Sequence, residues 1–164
     1  MYIDFHYYMI KALAQMAGFN DVEAQDIAYA SEYVDDALEY LPMKITDIPD
    51  LDYGTLPMPG GLFGVVCTAH DKFTMIGGAL VKGQINTYIP FHFVPRDTKQ
   101  QTDLAHYDYR TAPNCDTSRQ LVETAVAELK QAQGDNRTRK LIKLGIALHT
   151  YADTWAHQNF SGIF

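Results

Sequence analysis

Cysteine is scarce in this chain of 164 residues: Cys67 and Cys115 are its only 2, too few for a disulfide framework or a four-thiolate zinc site. Both read as reduced thiols. Positive charge is also short, with 13 Lys and Arg against 20 Asp and Glu and a formal net charge of −7. That balance argues against a nucleic-acid-binding surface or a polybasic membrane tether, while leaving room for a metal that neutralises carboxylates locally. No apolar run approaches the ~20 residues a transmembrane helix needs. Asp4, His6 and Lys11 interrupt the stretch where a secretory signal would carry its apolar core, so with Met1 as the start the expectation is a soluble, cytoplasmic protein. Gly-rich phosphate loops and a G-x-S-x-G elbow are missing too, since Gly60-Gly61 and Gly77-Gly78 have the wrong neighbours. What the chain has is apolar material: 47% of its residues are hydrophobic, ample for the core of one domain.

Proline marks out the organisation. All 7 prolines fall between Pro42 and Pro113, and this central segment is irregular, with β-like runs at 62–67, 72–76 and 86–94 that suggest a small β element. On either side the apolar residues recur at helical spacing. Residues 4–17 place Met9, Leu13, Met16 and Ala17 on one stripe, with Gly18 where a helix C-cap glycine belongs. Asn20 followed by Glu23 reads as a capping box, and Ala24, Ile27, Val34, Leu38 and Leu41 predict a second helix over 21–40. Asp116 opens a third pattern, with Leu121, Val122, Ala125, Val126 and Leu129 inward and Gly134 closing it. A fourth runs from near Asn136 to about Phe160. The expected fold is mainly α, a helical bundle of about four main helices forming one domain over residues 1–164. The chain stops on Ile163-Phe164 directly after its last helix, which reads as an end inside a larger domain.

The densest chemistry lies in that last helix, between His149 and His157. At about 100° per residue, Asp153 lies about 40° and His157 about 80° around the helix from His149, so the three share a face. Ile142, Gly145, Ile146, Ala156 and Phe160 share it too, which turns the polar groups toward a core or cleft. His149 and His157 stand about 12 Å apart along the axis, too far to grip one ion, while each is about one turn from Asp153. An aspartate bridging two ions fits this spacing. The structural alternative is a hydrogen-bonded core His149, a backbone-capping Asp153 and a half-exposed His157. Trp155 points away from this face and reads as packing.

The other helices add inward polar groups. His6 falls within about 20° of Leu13 on the first helix and should face the core, while Asp4 points away. On the second helix Asp35 sits at the edge of the apolar stripe and Asp36 on the opposite face, making Asp35 the better candidate ligand and Asp36 a solvated charge. Burying carboxylates and imidazoles without partners costs several kcal/mol, so inward polar groups on three helices favour mutual compensation, by a metal or by a plain His–Asp hydrogen-bond network. His92, between Phe91 and Phe93 in a proline-bounded run, is either a ligand or an aromatic packing group. His70-Asp71 is a dipeptide like that of the HD phosphohydrolases, but its β-like, glycine-flanked setting differs from the helix that motif needs. His106 reads as exposed.

The helix from Leu144 through His149 and Asp153 to His157 resembles the metal-binding helix of the zinc-dependent phospholipase C and zinc nuclease superfamily. Its Asp153-to-His157 spacing is like that of the phosphatidylinositol-glycan-specific phospholipase D branch. The opening Asp4-Phe5-His6-Tyr7-Tyr8, with Tyr33-Val34-Asp35-Asp36, also resembles a group of uncharacterised bacterial proteins that carry the same ending. The resemblance implies a bridging Asp153, with His149 on one ion, His6 on another, and Asp35 or Asp36 completing the first. It makes His92 or His70 the additional histidine, and gives His157 a third ion or a place in the cleft. Two features depart from the superfamily: no signal peptide exposes an N-terminal amine ligand, and the ligands expected downstream of His157 are missing.

The function this implies is a metal-dependent hydrolase of phosphate esters, on small-molecule or lipid substrates. Divalent metal, with zinc foremost, is its cofactor, and metal-bound hydroxide its nucleophile. Asp153 and Asp35 are the residues expected to carry the chemistry. The alternatives are a non-catalytic helical domain with a structural His/Asp network or a single structural ion, and an HD-type phosphohydrolase centred on His70-Asp71.

Overall fold

The computed structural model describes residues 3–38, 56–58, 60, 62–64, 67–69, 88–96 and 108–162. The fold is mainly helical. A π-helical turn, Asp4–Met9, runs straight into α1, Ile10–Met16, and α2 follows as Asp21–Asp36. Two three-residue strands, β1 (Leu56–Met58) and β2 (Leu62–Gly64), pair antiparallel with Pro57 opposite Phe63. A single helical turn, α3 (Ile89–His92), precedes the two long helices α4 (Asp116–Gln131) and α5 (Asp135–Ala156). Among the described residues no helix is long and apolar enough to cross a membrane.

The punctuation read from sequence is realised at the α1–α2 junction. Gly18, at φ +94°, ends α1 in a Schellman motif: its N–H donates to the Gln15 carbonyl, and the Phe19 N–H donates to Ala14. Asn20 then caps α2, accepting from the Glu23 N–H at 3.0 Å while its own N–H donates to the Glu23 carboxylate at 3.4 Å.

The core forms where α5 lies between α2 and α4. Ile10, Ala14, Ala24, Ile27, Ala28, Ala125, Leu129, Leu141, Leu144 and Ala147 make one buried cluster. Apart from Ile27 its α2 side is built of alanines, and Gly145 of α5 sits directly on that face. A Cβ there would lie 2.3 Å from the Ile27 carbonyl oxygen and 2.8 Å from the Ala30 Cβ, so the close approach of α2 and α5 needs glycine. At its other end α2 is tied down by residues 67–69. The Thr68 hydroxyl donates to the Val34 carbonyl at 2.7 Å, and the Thr68 and Ala69 N–H groups both donate to Ala37.

Several expectations are corrected. The first helix buries Ile10 and Ala14 and exposes the predicted stripe, with Leu13 49% and Met16 84% accessible. The cause is the π-helical turn, whose wider winding rotates the following residues away from an ideal 3.6-residue phase. The second helix stops at Asp36 rather than near residue 40, leaving Leu38 exposed, and Leu41 lies outside the described residues. The run 86–94, read as β-like, contains α3, where Pro90 occupies the first turn, a helix position that tolerates proline. Ile142, Ala156 and Phe160, expected inward on α5, are exposed, as is Leu121 on α4. The run 72–76, His70, Asp71 and His106 lie outside the described residues.

Two predictions follow from this packing. Gly145→Ala forces α2 and α5 apart and should cost about 1–3 kcal/mol or more, read as a lower urea midpoint at unchanged slope. Glu128 of α4 accepts from Lys140 and Lys143 of α5, both at 2.7 Å, and these hydrogen bonds hold its carboxyl down at about 2. Because the folded pKa lies below the unfolded one, the contribution is complete above about pH 4.5 and disappears as pH falls toward 2. Thermal melts of Glu128→Gln should therefore lie slightly below wild type at pH 6 in low salt, and the gap should close near pH 2 and in high salt.

Candidate metal centre

Three elements converge on one carboxylate, and a fourth, α2, borders the cluster they form. Asp153, one turn before the end of α5, is fully buried, and each of its oxygens is met by imidazole nitrogen. Oδ1 lies 3.1 Å from His6 Nε2 of the π-helical turn. Oδ2 lies 2.9 Å from His92 Nδ1 of α3, 3.3 Å from His149 Nε2 one turn earlier in α5, and 3.4 Å from His157 Nε2 at the α5 C-cap. Asp35, in the last turn of α2, brings a second carboxylate within 3.7 Å of His92 Nδ1, 3.8 Å of His149 Nε2 and 3.9 Å of His6 Nε2.

His6, His92, His149 and Asp153 are each at most 1% exposed, whereas the Asp35 and His157 side chains are each 25% exposed. The imidazole rings hold one another in place: His6 stacks on His149 at 3.9 Å between centroids, and His92 meets His149 edge-on at 4.9 Å. Asp36, the other carboxylate considered on α2, is exposed and belongs to none of the ligand sets described below.

His92 is the most constrained member. Its Nε2 lies 3.0 Å from the Thr68 carbonyl oxygen, which can only accept, so the proton sits on Nε2. Nδ1 is then the nitrogen turned to Asp153, and a lone pair 2.9 Å from a carboxylate oxygen is repulsive unless a cation, either a proton or a metal, lies between them. His149 Nε2, 3.2 Å from the same Nδ1, crowds that position further. A histidine whose outer nitrogen donates to a backbone carbonyl is the usual arrangement behind a metal ligand.

Ionisation follows from the same contacts. Burial alone would raise the Asp153 pKa, but hydrogen bonds from the surrounding imidazoles, His149, His157 and His6 among them, override it and hold the carboxyl well below the usual range. Burial lowers the His149 pKa, with the Asp153 carboxylate opposing, so this imidazole is neutral, the form that binds metals. Burial and the negative charges of Asp35 and Asp153 raise the Tyr88 pKa, keeping it a phenol; its ring stacks on His92 at 4.2 Å. Glu32, one turn before Asp35 and Asp36, is also pushed up, first by burial and then by those two carboxylates.

Three sets of ligand atoms lie mutually within 4.8 Å: His6 with His149 and Asp153, His92 with Asp153 and His157, and Asp35 with His92 and His149. Neighbouring ligands around a tetrahedral zinc with bonds of about 2.0–2.1 Å sit about 3.3–3.4 Å apart, close to the spacings seen here. The first two sets share only Asp153, so both can be filled at once by a bridging carboxylate; the third draws one histidine from each and is an alternative single-ion arrangement. No set contains both His149 and His157, as their axial separation requires. His6, Asp35, His92, His149, Asp153 and His157 are thus brought together. The reading from sequence missed Thr68, whose contribution is a backbone carbonyl and leaves no mark in side-chain patterns. It also missed Tyr88, which the four-residue spacing to His92 would have flagged.

In metal-free protein, Asp153→Asn leaves four imidazoles around a neutral amide and should cost about 3–5 kcal/mol, the typical penalty for breaking a buried charged network. Urea denaturation of both proteins in chelator measures it.

Comparison with known proteins adds family membership. No curated protein and no solved structure matches the chain. One family model matches residues 1–164 in full, and the chain belongs to that family, a family of unknown function designated DUF6765.

Proposed function

We propose that this protein is a divalent-metal-dependent hydrolase of phosphate esters, in which Asp153 and the histidines around it would hold the metal. The observation that carries this reading is His92, whose Nε2 is committed to the Thr68 carbonyl while Nδ1 faces the Asp153 carboxylate at 2.9 Å. Zinc suits a donor set of imidazoles and carboxylates with no thiolate. A divalent ion in such a set supplies Lewis acidity toward a phosphoryl oxygen and acidifies a water in contact with it.

The chain's own residues divide the remaining work. His6, His92 and His149 present fixed nitrogens from a dry interior, and Asp153 holds the negative charge that would balance a bound cation. Asp35 and His157, the partly exposed members, stand where solvent and substrate reach the cluster. The spacing of His149, Asp153 and His157 on one helix, similar to the metal helix of zinc phospholipases and nucleases, supports phosphate esters as the substrate class.

A second reading has its own support. Four of the six clustered residues are at most 1% exposed, which also suits a structural network that fixes the helix packing, with or without one ion.

Elemental analysis of protein purified without chelator, together with turnover assays, separates these readings. The expected result is between one and two equivalents of zinc or a similar ion per chain; less than one counts against the metal centre. Chelation should lower the melting temperature and abolish hydrolysis of phosphomonoester or phosphodiester test substrates, with zinc restoring both. A thousandfold excess of metal over its Kd stabilises by about 4 kcal/mol. His149→Ala should lose both metal and turnover. Bound metal with no turnover of any phosphate ester by the wild type would favour the structural role.

A further inference from the structure

His157 belongs to the cluster and also to the surface. It meets Asp153 at 3.4 Å, stacks on Phe93 with centroids 4.4 Å apart, and lines a cleft of about 450 Å³ beyond the end of α5. Arg110, Asn159 and Phe160 line the same cleft. The size lies at the low end for small-molecule sites, enough for a phosphate carrying one ring or a short chain.

One basic side chain, Arg110, lines the cleft, and a second, Arg96, stands behind it. Arg110 pairs with Asp108 through Nε at 2.8 Å and Nη2 at 2.9 Å, and Arg96 Nε approaches the same carboxylate at 3.3 Å. Two guanidinium groups therefore share Asp108, and hydrogen bonds from Arg110 keep that carboxyl ionised, with a pKa of about 2. Arg96 also donates to the Asn159 side-chain oxygen at 3.3 Å, which fixes the second wall. Among the described residues Arg110 Nη1 is engaged in none of these pairs, so a donor remains for an anion.

The same cleft offers an aromatic surface. Phe160 is 65% exposed, directly beside the arginine and the histidine. Its backbone is nonetheless fixed: the Thr111 N–H donates to the Phe160 carbonyl at 2.7 Å and the Asn159 N–H to the Thr111 carbonyl at 2.9 Å. The wall is thus preformed rather than assembled on binding.

We propose that this cleft is the substrate subsite, taking the anionic group of an organic phosphate on Arg110 beside His157 and its apolar or aromatic substituent on Phe160. It deepens the proposed function and rests on that reading for the direction in which the phosphoryl group points. The anion preference and the aromatic contact stand on the cleft alone.

Titration calorimetry of zinc-loaded protein with phenyl phosphate and with inorganic phosphate tests it, with metal content measured in every sample. Wild type should bind phenyl phosphate more tightly than inorganic phosphate. Arg110→Gln should weaken both by about tenfold, the loss of one charge-assisted hydrogen bond. Phe160→Ala should weaken phenyl phosphate by about tenfold and leave inorganic phosphate unchanged. Both variants should keep full metal content. Wild-type affinities in both variants, with metal retained, would overturn the subsite and leave the metal centre standing. If wild type holds no metal, the same titrations on metal-free protein decide: binding that depends on Arg110 and Phe160 sustains the cleft while the metal reading falls, and no binding removes both.

Discussion

The structure turns on one ionised carboxylate with no access to water. An isolated charge at the depth of Asp153 would cost several kcal/mol, and the fold meets that cost by bringing imidazoles from the first turn of the chain, the α3 turn and α5 itself to its two oxygens. Each of those contacts fixes an element. His6 anchors the N-terminal turn against α5, and His92 anchors α3. Through Thr68, His92 also engages the segment that closes the end of α2. The polar cluster and the hydrophobic core are therefore two faces of one packing problem, solved along the same helix α5.

Gly145 connects the two. It lies one helical turn before His149, and the contact of its backbone with Ile27 sets how closely α2 approaches α5. Asp35 is two turns along α2 from Ile27, so the same close approach carries its carboxylate to within 3.8 Å of His149. A bulkier contact would move Asp35 away from the cluster even with every ligand present. Small residues at Ala24, Ala28, Ala30 and Ser31 serve the same end.

The long helices and the α5 cluster were legible because their spacing is regular: the angles that place His149, Asp153 and His157 together hold in an unbroken α-helix. His6 was placed inward by the same arithmetic, yet its supposed neighbour Leu13 is exposed. The π-helical turn shifts the phase, and His6 shares its buried face with Ile10 and Ala14 instead. His92 could be read only as a candidate, because the aromatic and β-branched composition around it suits a strand, and tertiary packing rather than propensity makes it a helical turn. The Thr68 carbonyl, which fixes the proton on His92, was beyond any pattern of side chains.

The direction of the helices adds a last constraint. Asp35 lies in the final turn of α2 and Asp153 in the final turn of α5, so the two longest elements touching the cluster both present their carbonyl ends nearby. Neither carries a Lys or Arg in its last turn to balance the negative end of the dipole. Carbonyl ends and two carboxylates together make a field that attracts cations and repels anions. A phosphate ester, the substrate class proposed above, would therefore need positive charge supplied from outside these helices. The structure offers it in one described place next to the cluster, where Arg110 lines the cleft beside His157 and Arg96 shares its Asp108 partner. A bound divalent ion would supply the rest, so the acidity of the chain does not rule out the proposed anionic substrate.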